Sequence, residues 1–212
     1  MSENPLDDRA LYERLLEQRR ALRFPSDVER AFRLHFLREG RPRIRLGMWT
    51  GLMLFSAYAV WDLATFPPEL IAWSLPLRLL CVCPLYAAVL FASYFRERVA
   101  LMDGLRVAAA LVTAAATTLI VVVGQAHGLQ IGLEGLFLVT IATYTLTGLR
   151  TTLAAACGLA VLPFELATGW AVLGGAGAVV DALLFSATAN VVGFVACAVS
   201  YTHLTLPTNR EV

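Results

Sequence analysis

The sequence contains no lysine: all seventeen of its basic residues are arginine. Charge of either sign is scarce, with Asp, Glu, Lys and Arg making up 16% of the chain against 58% hydrophobic residues. That balance excludes an ordinary soluble domain and indicates a membrane protein. The net charge of +1 points to no partner by itself, and no nucleic-acid partner is expected. Cysteine is limited to Cys81, Cys83, Cys157 and Cys197, all in apolar surroundings. Cys81 and Cys83 lack the CxxC spacing, and residues two apart on a helix diverge, so the cysteines read as small apolar filler rather than metal ligands. A glycine-rich nucleotide loop, HExxH and GxSxG are all missing, as is any cytoplasmic carboxylate cluster, so no catalytic residue, metal or cofactor is expected in this chain. Gly174-Gly175-Ala176-Gly177 follows no strand and reads as a turn. The first apolar run starts too late for a cleavable signal peptide, so the first membrane helix is expected to direct insertion.

What is abundant is the long apolar block from Leu46 to about Ala198. It divides into six segments near the roughly 20 residues that span a bilayer: 46–66, 75–95, 105–124, 131–149, 151–170 and 176–198. Backbone groups in hydrocarbon must bond internally, so each segment is expected to be a helix. The expected fold is all-α, a six-helix transmembrane bundle (residues 46–198) behind a cytoplasmic helical and juxtamembrane segment (residues 1–45). Within that segment residues 1–22 are charged and helix-prone. Ser26 and Glu29 form a capping box opening a short helix over 27–39, which Gly40 and Pro42 are expected to end. It reads either as a solvated linker helix or as an amphipathic juxtamembrane helix on the inner leaflet, with Arg33, Arg38 and the following Arg41, Arg43 and Arg45 near lipid phosphates.

Arginine placement sets the expected orientation. Eleven of the seventeen arginines precede residue 46. Arg96, Arg98 and Arg106 fill the loop between the second and third segments, and Arg150 separates the fourth from the fifth. Loops 67–74, 125–130 and 171–175 hold no basic residue. Positive-inside bias therefore puts both termini in the cytoplasm of a bacterial inner membrane. Trp61, Trp73 and Trp170 then mark the outer interface, and Trp49, Tyr94 and Phe95 the inner one. Ala108, Ala109, Ala110, Ala187, Ala189 and Gly193 allow close helix packing.

Ionisable side chains within these segments are costly and so are candidates for function. Asp62, Arg78, Glu134, Glu165 and Asp181 all fall in the outer half on this topology, with His127 in the loop above. Two readings stay open. One is an ion-pair network, such as Arg78 with Asp62 or Glu165, that fixes helix register. The other is a polar cavity open to the periplasm, in which four acids against one arginine bind a cationic or polar ligand, a metal or protons. Pro163 offers a kink beside Glu165, while Asn190 suits an interhelical hydrogen bond.

Residues 199–212 depart from the rest of the chain. The decapeptide from Val199 to Thr208 reads as the translation of a transposon-based sequencing adapter, so the natural protein is expected to continue past about Cys197.

The stretch Phe36-Leu37-Arg38 with Arg41-Pro42-Arg43-Ile44-Arg45-Leu46, then Leu52, Phe55 and Trp61-Asp62-Leu63, carries a resemblance. Pro76-Leu77-Arg78 with Pro84, and Asn190-Val191-Val192-Gly193, add to it. Over roughly residues 32–197 the chain resembles the six-helix membrane sensor region of bacterial GGDEF-type diguanylate cyclases, and less closely that of membrane-bound class III adenylate cyclases. The resemblance implies a sensor domain whose cyclase output lies beyond this segment. It also implies a homodimer formed through that missing region, the lipid bilayer as partner, and an unknown periplasmic or lipid-borne ligand. A small multi-pass transporter is the alternative, although no inverted repeat is visible. A membrane-anchoring scaffold would need no polar cluster.

Overall fold

The computed structural model describes residues 26–95, 98–129, 131–174 and 176–205. The helix-prone segment before Ser26, Arg96 and the end of the adapter-like tail lie outside the described residues. Among the described residues every element is a helix, and none is a strand. The elements are α1 (Ser26–Thr65), α2 (Pro68–Phe95), α3 (Val99–Ala126), α4 (Glu134–Thr145), α5 (Thr151–Leu173) and α6 (Ala176–Thr205).

Four helices are long and apolar enough to cross a membrane: α2, α3, Thr151–Ala171 of α5 and Val179–Val199 of α6. The second half of α1 is diluted by Gly47, Gly51, Ser56 and Asp62, and by Trp49 and Trp61. With 12 residues, α4 is about 18 Å long, short of a hydrocarbon core of about 30 Å. The exterior is nonetheless apolar, with Leu79, Leu80, Phe91, Leu184, Phe185, Val191 and Val195 exposed. Buried positions instead include Asp62, Arg78, Arg106, Thr113, Thr140, Thr143, Glu165 and Ser186. Oil outside and polar groups inside suit a bilayer, where exposed polar atoms find no water.

Three expectations from the sequence need correction. The helix that starts at Ser26 does not stop at Gly40 but runs 40 residues straight through Pro42. Proline removes a backbone hydrogen bond and favours a break. Here burial of Leu37, Ile44 and Met48 against Val89, Leu90, Met102 and Ala109 holds both sides in one rod. Loop 67–74 is also helical, because Pro68 starts α2 at its first turn, where a missing N–H costs nothing. Arg106 is not a loop residue: α3 begins at Val99, and Arg106 lies buried in it at 2% exposure.

Inside α2 the turn widens to a π-helix over Leu77–Val82, with the Cys83 N–H donating to the Arg78 carbonyl. Pro84 explains the widening, since its ring cannot donate and would press on the carbonyl four residues back. The result re-aims Arg78 into the bundle.

The opposite end of the bundle is closed by arginines acting as helix caps. Arg43 of α1 donates through Nε and Nη2 to the Thr145 carbonyl at the end of α4, at 3.2 and 3.0 Å. Arg106 of α3 donates to the Thr147 and Gly148 carbonyls just beyond it. Arg45 donates to the Ser93 carbonyl at 3.1 Å near the end of α2 and lies over the Tyr94 ring. The last carbonyls of a helix lack partners and carry negative partial charge, so guanidinium groups suit them doubly. Gly148 makes the turn after α4 at φ +65°, a conformation that L side chains avoid.

The α5–α6 hairpin is antiparallel, so α4 and α6 run the same way. Tyr144 of α4 packs against Gly158 of α5 and Gly193 of α6, where added Cβ atoms would collide with its ring. These two glycines let three helices meet around one tyrosine.

Candidate polar site within the bundle

Two buried polar arrangements stand out, and they are separate. The first joins α1 to α2. Arg78 Nε donates to Asp62 Oδ2 at 2.7 Å and Nη2 donates to Oδ1 at 3.3 Å. Asp62 is 1% exposed and Arg78 is 9% exposed. The guanidinium also faces the rings of Phe55 and Tyr58, at 5.8 and 5.4 Å to their centroids. Two parallel bonds and two ring faces satisfy a charge that would otherwise be costly in this setting. This is the Arg78–Asp62 pair the sequence offered, and Glu165 has no part in it.

The second arrangement spans α4, α5 and α6. Glu165 is fully buried, and its Oε1 accepts from the Thr140 hydroxyl at 2.7 Å. Its Oε2 has no partner among the described residues. The surrounding wall is apolar: Val161, Ala182, Leu136, Val139 and Ala114 form one cluster there. One turn along α4, the Tyr144 hydroxyl donates to Asn190 Oδ1 of α6 at 2.8 Å, the interhelical role expected of Asn190. Asn190 Nδ2 in turn donates to the Ser186 carbonyl at 2.9 Å. Thr168, one turn beyond Glu165 on α5, donates to the Phe164 carbonyl at 2.6 Å and reaches Thr118 of α3 at 3.4 Å.

The remaining sequence candidates lie elsewhere. Glu134 is exposed in the first turn of α4, where its charge favours the helix N-terminus. His127 is exposed at the end of α3, with Nδ1 2.8 Å from the Val123 carbonyl. Asp181 is exposed on α6. The six candidates are therefore not one cluster: one is exposed with each of three helices, two form an ion pair, and Glu165 sits with hydroxyls. Among the described residues no group of three His, Cys, Asp or Glu side chains is placed to share a metal ion.

Thr140 and Ser186 were not singled out from the sequence. A signal for Thr140 does exist, because Thr140, Thr143, Tyr144 and Thr147 repeat at helical spacing and form a polar stripe on an otherwise apolar segment. Ser186 carries no such mark.

No protein-family model matches this sequence, and no curated protein matches it either. The chemistry open to the site therefore has to be read from its own atoms. It offers a carboxylate, hydroxyls and an amide in a buried interior. Such a set can bind a small polar or cationic ligand.

Proposed function

We propose that this chain is the membrane-embedded input region of a bacterial second-messenger signalling protein of the diguanylate cyclase type. All six helices lie in the inner membrane, with the arginine-capped end facing the cytoplasm, and the cyclase domain follows α6 in the full protein. The observation that carries the reading is the polar seam from Glu165 and Thr140 to Tyr144 and Asn190. It sets a buried carboxylate of α5 and a hydrogen bond to α6, the helix that leads toward the output, one turn apart on α4. A stimulus that binds two packings of α5 against α6 with different affinity would shift their balance, and only such a difference can do so. An adenylate cyclase output fits the same argument.

A small ion transporter is the second reading. The short α4, the π-turn in α2 and Pro163 within α5 favour it, because transporters place irregular helices around their binding sites.

The test starts with the source locus, sequenced past the codon for Cys197. A continuing frame that reaches a GGDEF motif supports the sensor reading. Further membrane helices would move the choice to the transporter, and a natural stop there would end the cyclase proposal. Given a cyclase, Glu165→Gln in the full-length protein should change the cyclic di-GMP level or its response to stimulus. An unchanged output under every stimulus would refute the role given to the seam.

A further inference from the structure

We propose that Glu165, Thr140 and Ser186 together hold a monovalent cation of sodium size inside the bundle. This deepens the sensor reading by naming the ligand class, and the experiment below measures binding itself, so either can fail without the other.

Two polar side chains at this level are both fully buried and, among the described residues, without a partner: Glu165 at Oε2 and Ser186 at Oγ. Each unpaired group costs about 1–3 kcal/mol, which makes a shared partner the economical solution. Hydroxyls on these helices ordinarily bond back to their own backbone. Thr143, Thr145, Thr147, Thr168 and Thr188 each donate to the carbonyl four residues earlier. Ser186 does not, and Thr140 turns instead to Glu165.

Helix geometry puts the three side chains at one depth. Tyr144 and Asn190 meet across the parallel pair α4 and α6, so Thr140 and Ser186, each four residues earlier, share the next turn. On the antiparallel α5, Gly158 lies opposite Asn190, so the Glu165 backbone, seven residues on, is about two turns past that level and about one turn past Ser186. Helical side chains lean toward their own N-terminus. That lean carries the Glu165 carboxylate back toward Ser186 and Thr140, and the Thr140 contact fits it.

The charge count selects the occupant. One carboxylate faces this place, the Arg78 guanidinium is engaged by Asp62, and a single positive charge completes the balance. A divalent ion would need a second carboxylate. Carboxylate and hydroxyl oxygens are the ligands of hard cations. A proton on Oε2 would still leave the Ser186 hydroxyl without a partner among the described residues. An ion between the two oxygens satisfies both.

The test uses the full chain in lipid nanodiscs, in sodium chloride and in choline chloride at equal ionic strength. Two readouts are taken: the rate at which dicyclohexylcarbodiimide modifies Glu165, followed by peptide mass spectrometry, and the melting temperature. Carbodiimide attacks the protonated carboxyl, so bound sodium should slow it, by about tenfold when sodium exceeds its dissociation constant tenfold. Sodium should also raise the melting temperature, and Glu165→Gln should abolish that rise. Ser186→Ala removes only an unpaired hydroxyl, so it should fold normally and lose most of the sodium effect. A sodium-specific change in either readout that Ser186→Ala weakens supports the site. Identical behaviour in the two salts overturns it.

Discussion

Removing the Asp62 carboxylate should destabilise the bundle far more than removing the whole ion pair. In Asp62→Ala the Arg78 guanidinium keeps its buried position but loses both of its hydrogen bonds, at 2.7 and 3.3 Å. Breaking a buried pair from one side costs about 3–5 kcal/mol, because the remaining charge has no compensation. The rings of Phe55 and Tyr58 face the guanidinium with or without Asp62 and so offset none of this loss. For a chain of this size, about 2–4 °C of melting temperature accompanies each kcal/mol, so a loss of roughly 6–20 °C is expected.

The double variant Asp62→Ala with Arg78→Met decides what that loss means. Methionine fills part of the arginine's volume without charge, so the double variant should recover most of the stability lost by Asp62→Ala. The coupling from the four-member cycle should exceed about 2 kcal/mol. Tryptophan fluorescence melts in nanodiscs would supply the data. If Asp62→Ala alone melts like the unaltered protein, Arg78 is reached by water or lipid phosphate and the pair is not a buried one. If the double variant is as unstable as the single, the loss comes from packing around Asp62 and the argument from charge fails.

Arg106→Gln should lower the melting temperature by the equivalent of about 2–3 kcal/mol, because the Gly148 carbonyl loses a charged donor and Asp103 a close partner. Gly148→Val should cost at least about 1–2 kcal/mol for its left-handed backbone, with more from displacing Ile44, whereas Gly104→Val, where a Cβ meets nothing, should do much less. In nanodiscs a small lipid-soluble thiol reagent should modify Cys81, which is exposed, and leave Cys157 and Cys197 unmodified until the protein unfolds; equal reaction of all three would contradict the packing of α5 on α6. On the proposed orientation, His127→Cys should react with an impermeant maleimide from the periplasmic side of intact cells, and reaction only after permeabilisation would invert the topology.

The hydrophobic segments 75–95, 105–124, 151–170 and 176–198 were legible because a bilayer imposes both length and composition, and each coincides with a helix long and apolar enough to cross one. By contrast, 46–66 is the second half of a longer helix, and 131–149 is helical only over Glu134–Thr145. Their ends were less legible. Pro42 and Gly40 carry local stop signals, yet Leu37, Ile44 and Met48 are buried in one cluster, and tertiary burial overrode the local preference. Arg106 shows the same limit: counted as a loop charge, it is a buried cap whose partners, Thr147 and Gly148, lie about forty residues away. The length of α4 depended on those same partners. An apolar run of bilayer length does not reveal that its last turn gives way to carbonyls held by Arg43 and Arg106.

The ionisable residues divide by a physical criterion that composition could not apply. Asp62 and Arg78 come close in sequence across a tight turn between α1 and α2, so a pair between them was available from spacing alone. Glu165 needed Thr140 and Ser186, twenty-five residues before it and twenty-one after it, and hydroxyls are poor markers because most of them bond their own helix. What separates Ser186 from Thr188 is only that one lies against α4 and α5 while the other faces outward and bonds the Leu184 carbonyl. A polar group facing lipid must be satisfied within its own helix, whereas one facing the interior is free to be satisfied by something else. That freedom is what a binding site requires, and among the acids of the described residues Glu165 is the one with a buried oxygen left to use it.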